Sequence, residues 1–240
     1  MNEYEVKVYE EVEEWKRRLI RRSGMMNRLS KKAQVKINEW IPDKVHEMMT
    51  ESIKAMVKAT LFGSQLTTSK VQAIPLSLAE RDELVQKKIS VYQKTAIVEG
   101  AGTGAGGILL GLADFPLLLT IKMKFLFEAA AIYGFDTKKY EERLFILHVF
   151  QLAFSSDEIR KNTLSEIEHW EHRKIELIEM DWRKFQQEYR DYIDLAKLFQ
   201  LVPGIGAFVG AYANNNLLKI LGETAMNAYR LRLLQKAPEQ

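Results

Sequence analysis

An all-α fold is what the sequence predicts: a compact multi-helix domain with two closely packed glycine-rich helices. Apolar residues recur every three or four positions along most of the 240 residues, and no segment alternates as a strand would. Six of the thirteen glycines lie between Gly100 and Gly111, and three more lie in Pro203-Gly-Ile-Gly-Ala-Phe-Val-Gly210. Both stretches are apolar and carry Gly-x-x-x-Gly spacing, which lets helix backbones touch. Glycine costs about 1 kcal/mol per helical position relative to alanine, so close packing is the expected reason for keeping it.

Tyr4, Val8, Val12, Trp15 and Leu19 share one face of a first amphipathic helix that ends near Ser23-Gly24. A second helix runs from about Ser30, with Ala33, Ile37 and Trp40 on one side, and stops before Pro42. Pro42 suits the first turn of a third, which carries Val45, Met49, Ile53 and Met56 and ends at Gly63. Residues 64–74 are polar and aperiodic, the best linker in the chain. Ser77-Leu-Ala-Glu80 has capping-box spacing and opens a helix through Leu84, Ile89 and Tyr92. The organisation expected is N-terminal amphipathic helices over 1–63, a helical core over 77–234 and a tail over 235–240.

From Gly100 to Ile121 there are 22 residues with one charge, Asp114. As one helix they would reach about 33 Å, enough to cross a bilayer's hydrocarbon core. Asp114 followed by Pro116 instead reads as a helix start, which divides the stretch into a short glycine-rich helix and a second helix from Pro116 to Tyr133. A buried hairpin is favoured over one that re-enters the membrane interface. Gly100, Gly104, Gly107, Gly111, Gly206 and Gly210 are the close-packing positions. Gly134 suits a helix C′ position, and Asp136 or Thr137 the next N-cap. Leu144 to Phe154 is apolar on nearly all sides and belongs to the interior. Asp157 to Gln200 has no glycine or proline and forms one long helix or two joined end to end, with Leu164, Ile167, Ile178, Trp182, Phe185, Tyr189, Ile193 and Ala196 as its stripe. The second glycine-rich helix follows Pro203 and continues to about Leu234.

Chemistry finds few footholds. The chain has no cysteine, which removes disulfides, thiolate nucleophiles and cysteine-based zinc sites. Gly100-x-Gly-x-Gly-x-Gly-Gly107 resembles a phosphate loop superficially, but a helical segment precedes it and no Gly-Lys-Ser/Thr follows. Glu166-Ile-Glu-His169 has the Glu-x-x-His spacing of di-metal bundles, with Asp43-Lys-Val-His46 as its only loose counterpart, so no metal and no cofactor are expected. His148, inside an apolar helix, reads as a neutral core histidine. Asp114, Glu128, Asn214, Asn215 and Glu223 are polar residues in apolar surroundings, and an interior network joining the glycine-rich helices is expected of them. No catalytic residues are assigned.

The net charge is only +3, yet residues 15 to 36 hold nine basic and no acidic side chains. They are Lys16, Arg17, Arg18, Arg21, Arg22, Arg28, Lys31, Lys32 and Lys36, interleaved with Trp15, Leu19, Ile20, Met25, Met26 and Leu29. That mixture favours adsorption to an anionic membrane surface. No recognition module for nucleic acid accompanies the charge, so nucleic acid is not expected as a partner. A solvated face neutralised by Glu10, Glu11, Glu13 and Glu14 is the competing reading. The N-terminus is charged from the start, without a signal-peptide core, and a cytoplasmic location is expected.

Gly-Leu-Ala-Asp-Phe-Pro at 111–116, Ala-Ile-Tyr-Gly-Phe-Asp at 131–136, Leu-Val-Pro-Gly-Ile-Gly-Ala-Phe-Val-Gly at 201–210 and Leu-Gly-Glu-Thr-Ala-Met-Asn-Ala-Tyr-Arg at 221–230 resemble the EcsC protein family. In Gram-positive bacteria that family's genes lie beside those of an ATP-binding-cassette (ABC) transporter. The resemblance implies a non-enzymatic accessory protein with transporter subunits as partners, peripheral at the inner face of the membrane. The alternative is an enzyme or ligand-binding domain with an interior polar pocket around Asp114 and Glu223.

Overall fold

Eight α-helices make up almost all of the described chain in a computed structural model, which describes residues 1–25, 43–62, 75–103, 115–179, 193 and 207–234. In chain order they are α1 (Glu3–Met25), α2 (Asp43–Leu61), α3 (Leu78–Thr103), α4 (Phe115–Ile132), α5 (Tyr140–Phe154), α6 (Asp157–Glu168), α7 (Trp170–Glu179) and α8 (Ala207–Leu234). The one strand-like pairing among the described residues is an isolated antiparallel bridge between Ser155 and Ile193. The expected second helix, the 64–74 linker and the 235–240 tail lie outside the described residues.

Helix ends follow local chemistry. Ser77 Oγ accepts from the Glu80 amide at 3.3 Å while Glu80 Oε2 accepts from the Ser77 amide at 2.8 Å, the expected capping box. Asn2 and Glu5 make the same reciprocal pair at the start of α1. Gly134 takes φ +90° after α4, and its amide and that of Phe135 donate to Ala131 and Ala130 oxygens. This is a Schellman ending, and it satisfies carbonyls the helix leaves unpaired.

Two expectations are corrected, the cap of α5 and the burial of Ile178. Neither Asp136 nor Thr137 caps α5: Lys139 occupies the N-cap without a side-chain bond, and Asp136 Oδ1 instead accepts from the Lys138 amide in a preceding turn. The helix opened by the Ser77–Glu80 capping box continues past Tyr92 into the first glycine-rich region, since α3 runs through Gly100 and Gly102. Of the two forms expected from Asp157 onward, the described residues show two helices joined end to end, α6 and α7, with the break at His169 (φ −105°, ψ 25°). That non-helical residue shifts the helical phase, which buries Leu177 and leaves Ile178 39% exposed.

The core forms around α8, which packs on α1, α3, α4, α5 and α6, with α3 its most extensive neighbour. Asp82–Arg230 and Ile89–Gly222 contacts set α3 and α8 antiparallel. Arg81–Tyr133, Lys88–Glu128 and Tyr92–Phe125 do the same for α3 and α4. α5 is buried from Leu144 through Phe154, as its sequence requires. Val8, Val12 and Trp15 of α1 and Met49, Ile53 and Val57 of α2 belong to the same apolar cluster as the 77–234 helices.

The observed close approach of α3 and α8 is at Gly222. A Cβ there would meet Ile89 Cδ1 at 2.6 Å and Cγ1 at 2.7 Å. Gly222→Ala is therefore expected to destabilise by about 1–2 kcal/mol, because overpacking outweighs the roughly 1 kcal/mol gain in helix propensity. In an Ile89→Ala background the same change becomes stabilising. Thermal melts of the four proteins check the reversal.

Candidate functional site

Two buried ion pairs organise the interior. Asp82 lies on the buried face of α3 beside Leu78 and Val85. Its Oδ2 accepts from Arg230 Nε at 3.0 Å, from Arg230 Nη2 at 2.9 Å and from the Tyr4 hydroxyl at 2.8 Å. Its Oδ1 accepts from the Tyr133 hydroxyl at 2.5 Å. Arg230 also reaches Glu11 at 3.2 Å, so one carboxylate joins α1, α3, the end of α4 and α8. Burial and the Asp82 carboxylate push the Tyr4 hydroxyl up to about 12. Burial pulls the Arg230 pKa down, but its hydrogen bond to Asp82 outweighs that and the net shift is upward.

The second pair lies two residues further along α8, on roughly the opposite side of the helix. Arg232 Nη1 and Nη2 donate to Glu142 of α5 at 2.6 and 3.0 Å, and Nη2 donates to Glu171 of α7 at 3.0 Å. The guanidinium is 4.1 Å from the Phe135 ring and 4.4 Å from the Phe145 ring, close enough for cation–π attraction. Both arginines have planar forks, which suit bidentate carboxylates. The two pairs hold helices together, and Arg232 Nε is buried without a hydrogen-bond partner among the described residues.

His148 behaves as its apolar helix suggests. Nδ1 is 2.8 Å from the Leu144 carbonyl, and Nε2 is 3.5 Å from Glu166. Burial lowers its pKa against the opposing pull of Glu166, which leaves the ring neutral at neutral pH. Among the described residues no group of three or more histidine or acidic side chains is placed to hold a metal.

Of the expected interior network, only Glu128 and Glu223 have described side chains. Glu128 is partly buried, accepts from the Tyr92 hydroxyl at 2.9 Å and pairs with Lys88 at 2.8 Å. Glu223 is at the surface, its side chain 47% exposed and 3.5 Å from Arg18. Asp114 lies outside the described residues, and Asn214 and Asn215 lie in α8 without described side chains. Among the expected close-packing glycines, Gly100 sits in α3 and Gly210 in α8, while Gly104, Gly107, Gly111 and Gly206 lie outside the described residues.

The basic element is sorted just as unevenly. Trp15 faces the core and is only 4% exposed, which removes it from any surface contact. Lys16 is largely covered, held by Glu13 at 2.5 Å and Glu168 at 2.8 Å. Arg17, Arg18 and Arg21 are exposed, and Ile20 between them is 44% exposed. Arg22 lies in α1 without a described side chain, and Arg28, Lys31, Lys32 and Lys36 lie outside the described residues. What the described structure presents to solvent is the C-terminal half of α1, cationic with an apolar residue among the charges. No helix among the described residues is long and apolar enough to cross a membrane.

No solved structure matches the chain. It is 56% identical over 227 residues to "Protein EcsC" of Bacillus subtilis (strain 168), covering 95% of both chains. It is also 33% identical over 163 residues to "Uncharacterized protein YdbA" of the same organism, covering 66% of this chain and 60% of that one. The family model described as "EcsC protein family" matches residues 6–234, from within α1 to the last residue of α8. The helices joined by the Asp82–Arg230 and Glu142–Arg232 pairs all fall within that match, and the chain belongs to the EcsC protein family.

Proposed function

We propose that this protein is a non-enzymatic accessory protein of an ABC transporter, resting reversibly on the inner face of the membrane. The observation that carries the membrane part is the exposed cationic half of α1, where Arg17, Arg18 and Arg21 surround the exposed Ile20. Each such residue near an anionic surface contributes roughly 1 kcal/mol. The transporter part rests on family membership and the gene neighbourhood its resemblance implies. A non-enzymatic role is supported by the pairing of Asp82 with Arg230 and of Glu142 with Arg232 across helices. The reading built on a polar pocket at Asp114 and Glu223 is weakened by Glu223 at the surface.

Sedimentation with phosphatidylglycerol vesicles tests the membrane part. Binding is expected at low salt and weaker binding at high salt, since exposed charges are screened. Arg17→Gln with Arg21→Gln is expected to lower partitioning by roughly thirtyfold. Absence of binding at either salt removes the membrane role.

A further inference from the structure

One end of the helical bundle collects features that no single helix reveals. Tyr4 of α1 meets Asp82 of α3, and Arg18 of α1 meets Glu223 of α8. With the antiparallel pairings of α3 to α4 and α8, these contacts bring the C-terminal ends of α1 and α3 beside the N-terminal ends of α4 and α8. Three exposed lysines lie at a similar height below that end: Lys94 on α3, Lys124 on α4 and Lys219 on α8. None has an acidic partner among the described residues. Glu128, one turn from Lys124, is engaged by Lys88 and Tyr92, and Glu223, one turn from Lys219, by Arg18.

Beyond the lysines, charge nearly vanishes. α8 carries none from Ala207 to Leu218, α4 carries only the buried Lys122 between Phe115 and Met123, and α3 carries only Glu99 between Thr95 and Thr103. Lys94 and Lys124 each stand nine residues from their helix end and Lys219 twelve. At 1.5 Å per residue these are heights of about 14 to 18 Å. One leaflet contributes about half of a roughly 30 Å hydrocarbon core, so this sparsely charged length of the three helices, with Glu99 and the buried Lys122 its only charges, matches one leaflet and falls short of two. Leu117 projects from that end and is 51% exposed.

We infer that this end of the bundle inserts into a single leaflet of an anionic bilayer, with Lys94, Lys124 and Lys219 as a collar at the lipid phosphates. The inference rests on the membrane reading above and adds depth and orientation to it. Lipid fits better than nucleic acid because phosphate contact alone needs no sparsely charged length beyond the lysines. Arg18 and Arg21 of α1 fall at the same end, given the contact of Arg18 with Glu223, so the adsorbing arginines and the collar face one surface together.

The cysteine-free chain permits one labelled site at a time. Leu117→Cys places an environment-sensitive fluorophore at the proposed lipid end, and Glu83→Cys places it near the opposite end of α3; both positions are exposed. With phosphatidylglycerol vesicles carrying acyl-chain nitroxides, the Leu117→Cys emission is expected to shift blue and be quenched, and the Glu83→Cys emission to do neither. Lys94→Gln, Lys124→Gln and Lys219→Gln together are expected to lower partitioning roughly a hundredfold while leaving the thermal melt unchanged. Vesicle binding with neither probe quenched overturns insertion and leaves surface adsorption standing. Equal quenching by neutral vesicles overturns the lysine collar. Loss of all vesicle binding overturns both readings, as does retention only by membranes containing other proteins.

Discussion

Asp82→Ala is expected to lower stability by about 4 kcal/mol, among the largest effects of any single substitution here. The carboxylate is buried and accepts from Arg230, Tyr4 and Tyr133. Removing it leaves the Arg230 guanidinium, itself 8% exposed, with Glu11 as its remaining acidic partner. A buried charge stripped of its partner costs about 3–5 kcal/mol, far more than an exposed pair. For a chain of this length the midpoint of thermal unfolding should fall by roughly 8–16 °C. The double change Asp82→Leu with Arg230→Met removes both charges and is expected to be less damaging than either single change. Calorimetry on the four proteins decides it, and a single-variant loss under about 1 kcal/mol contradicts the assignment.

Arg232→Met is expected to cost a similar amount by a different route. The guanidinium satisfies Glu142 with two bonds and Glu171 with a third, while Phe135 and Phe145 cover it. Methionine fills the space between the rings but leaves the Glu142 carboxylate, which is 7% exposed, without a partner. The loss should be about 4 kcal/mol, and Glu142→Gln in the same chain should return a good part of it by removing the charge. Arg232→Lys is expected to lie between, near 2 kcal/mol, because an ammonium can neither fork onto the carboxylate nor stack as a plane. Denaturant midpoints for these variants check the order. If lysine proves as harmful as methionine, planar recognition is not what Arg232 contributes.

What was legible in the sequence was local. Ser77 and Glu80 sit three residues apart, so their capping box is visible to the eye, as is the need for a positive φ at Gly134. Eleven apolar-rich residues from Leu144 to Phe154 leave α5 no face for solvent. The ion pairs were missed because Asp82 and Arg230 are 148 positions apart, and Glu142 and Arg232 are 90 apart. A signal was nevertheless present. Asp82 falls in register with Leu78, Val85 and Ile89, and Arg232 with Leu221, Ala225 and Ala228. A charge on an apolar stripe needs a buried partner. Trp15 was misread for a related reason: its charged neighbours in sequence point away from it around the helix.

By itself, then, the sequence determined that the chain is helical, where several helices start and stop, and which faces are apolar, since these depend on residues within about one turn. Tertiary structure decided which charge meets which, which glycine admits a neighbour, and that the lysines of α3, α4 and α8 stand at one end. Those outcomes depend on how far each helix slides and rotates against the others, and that is set by the summed packing of residues distant in the chain.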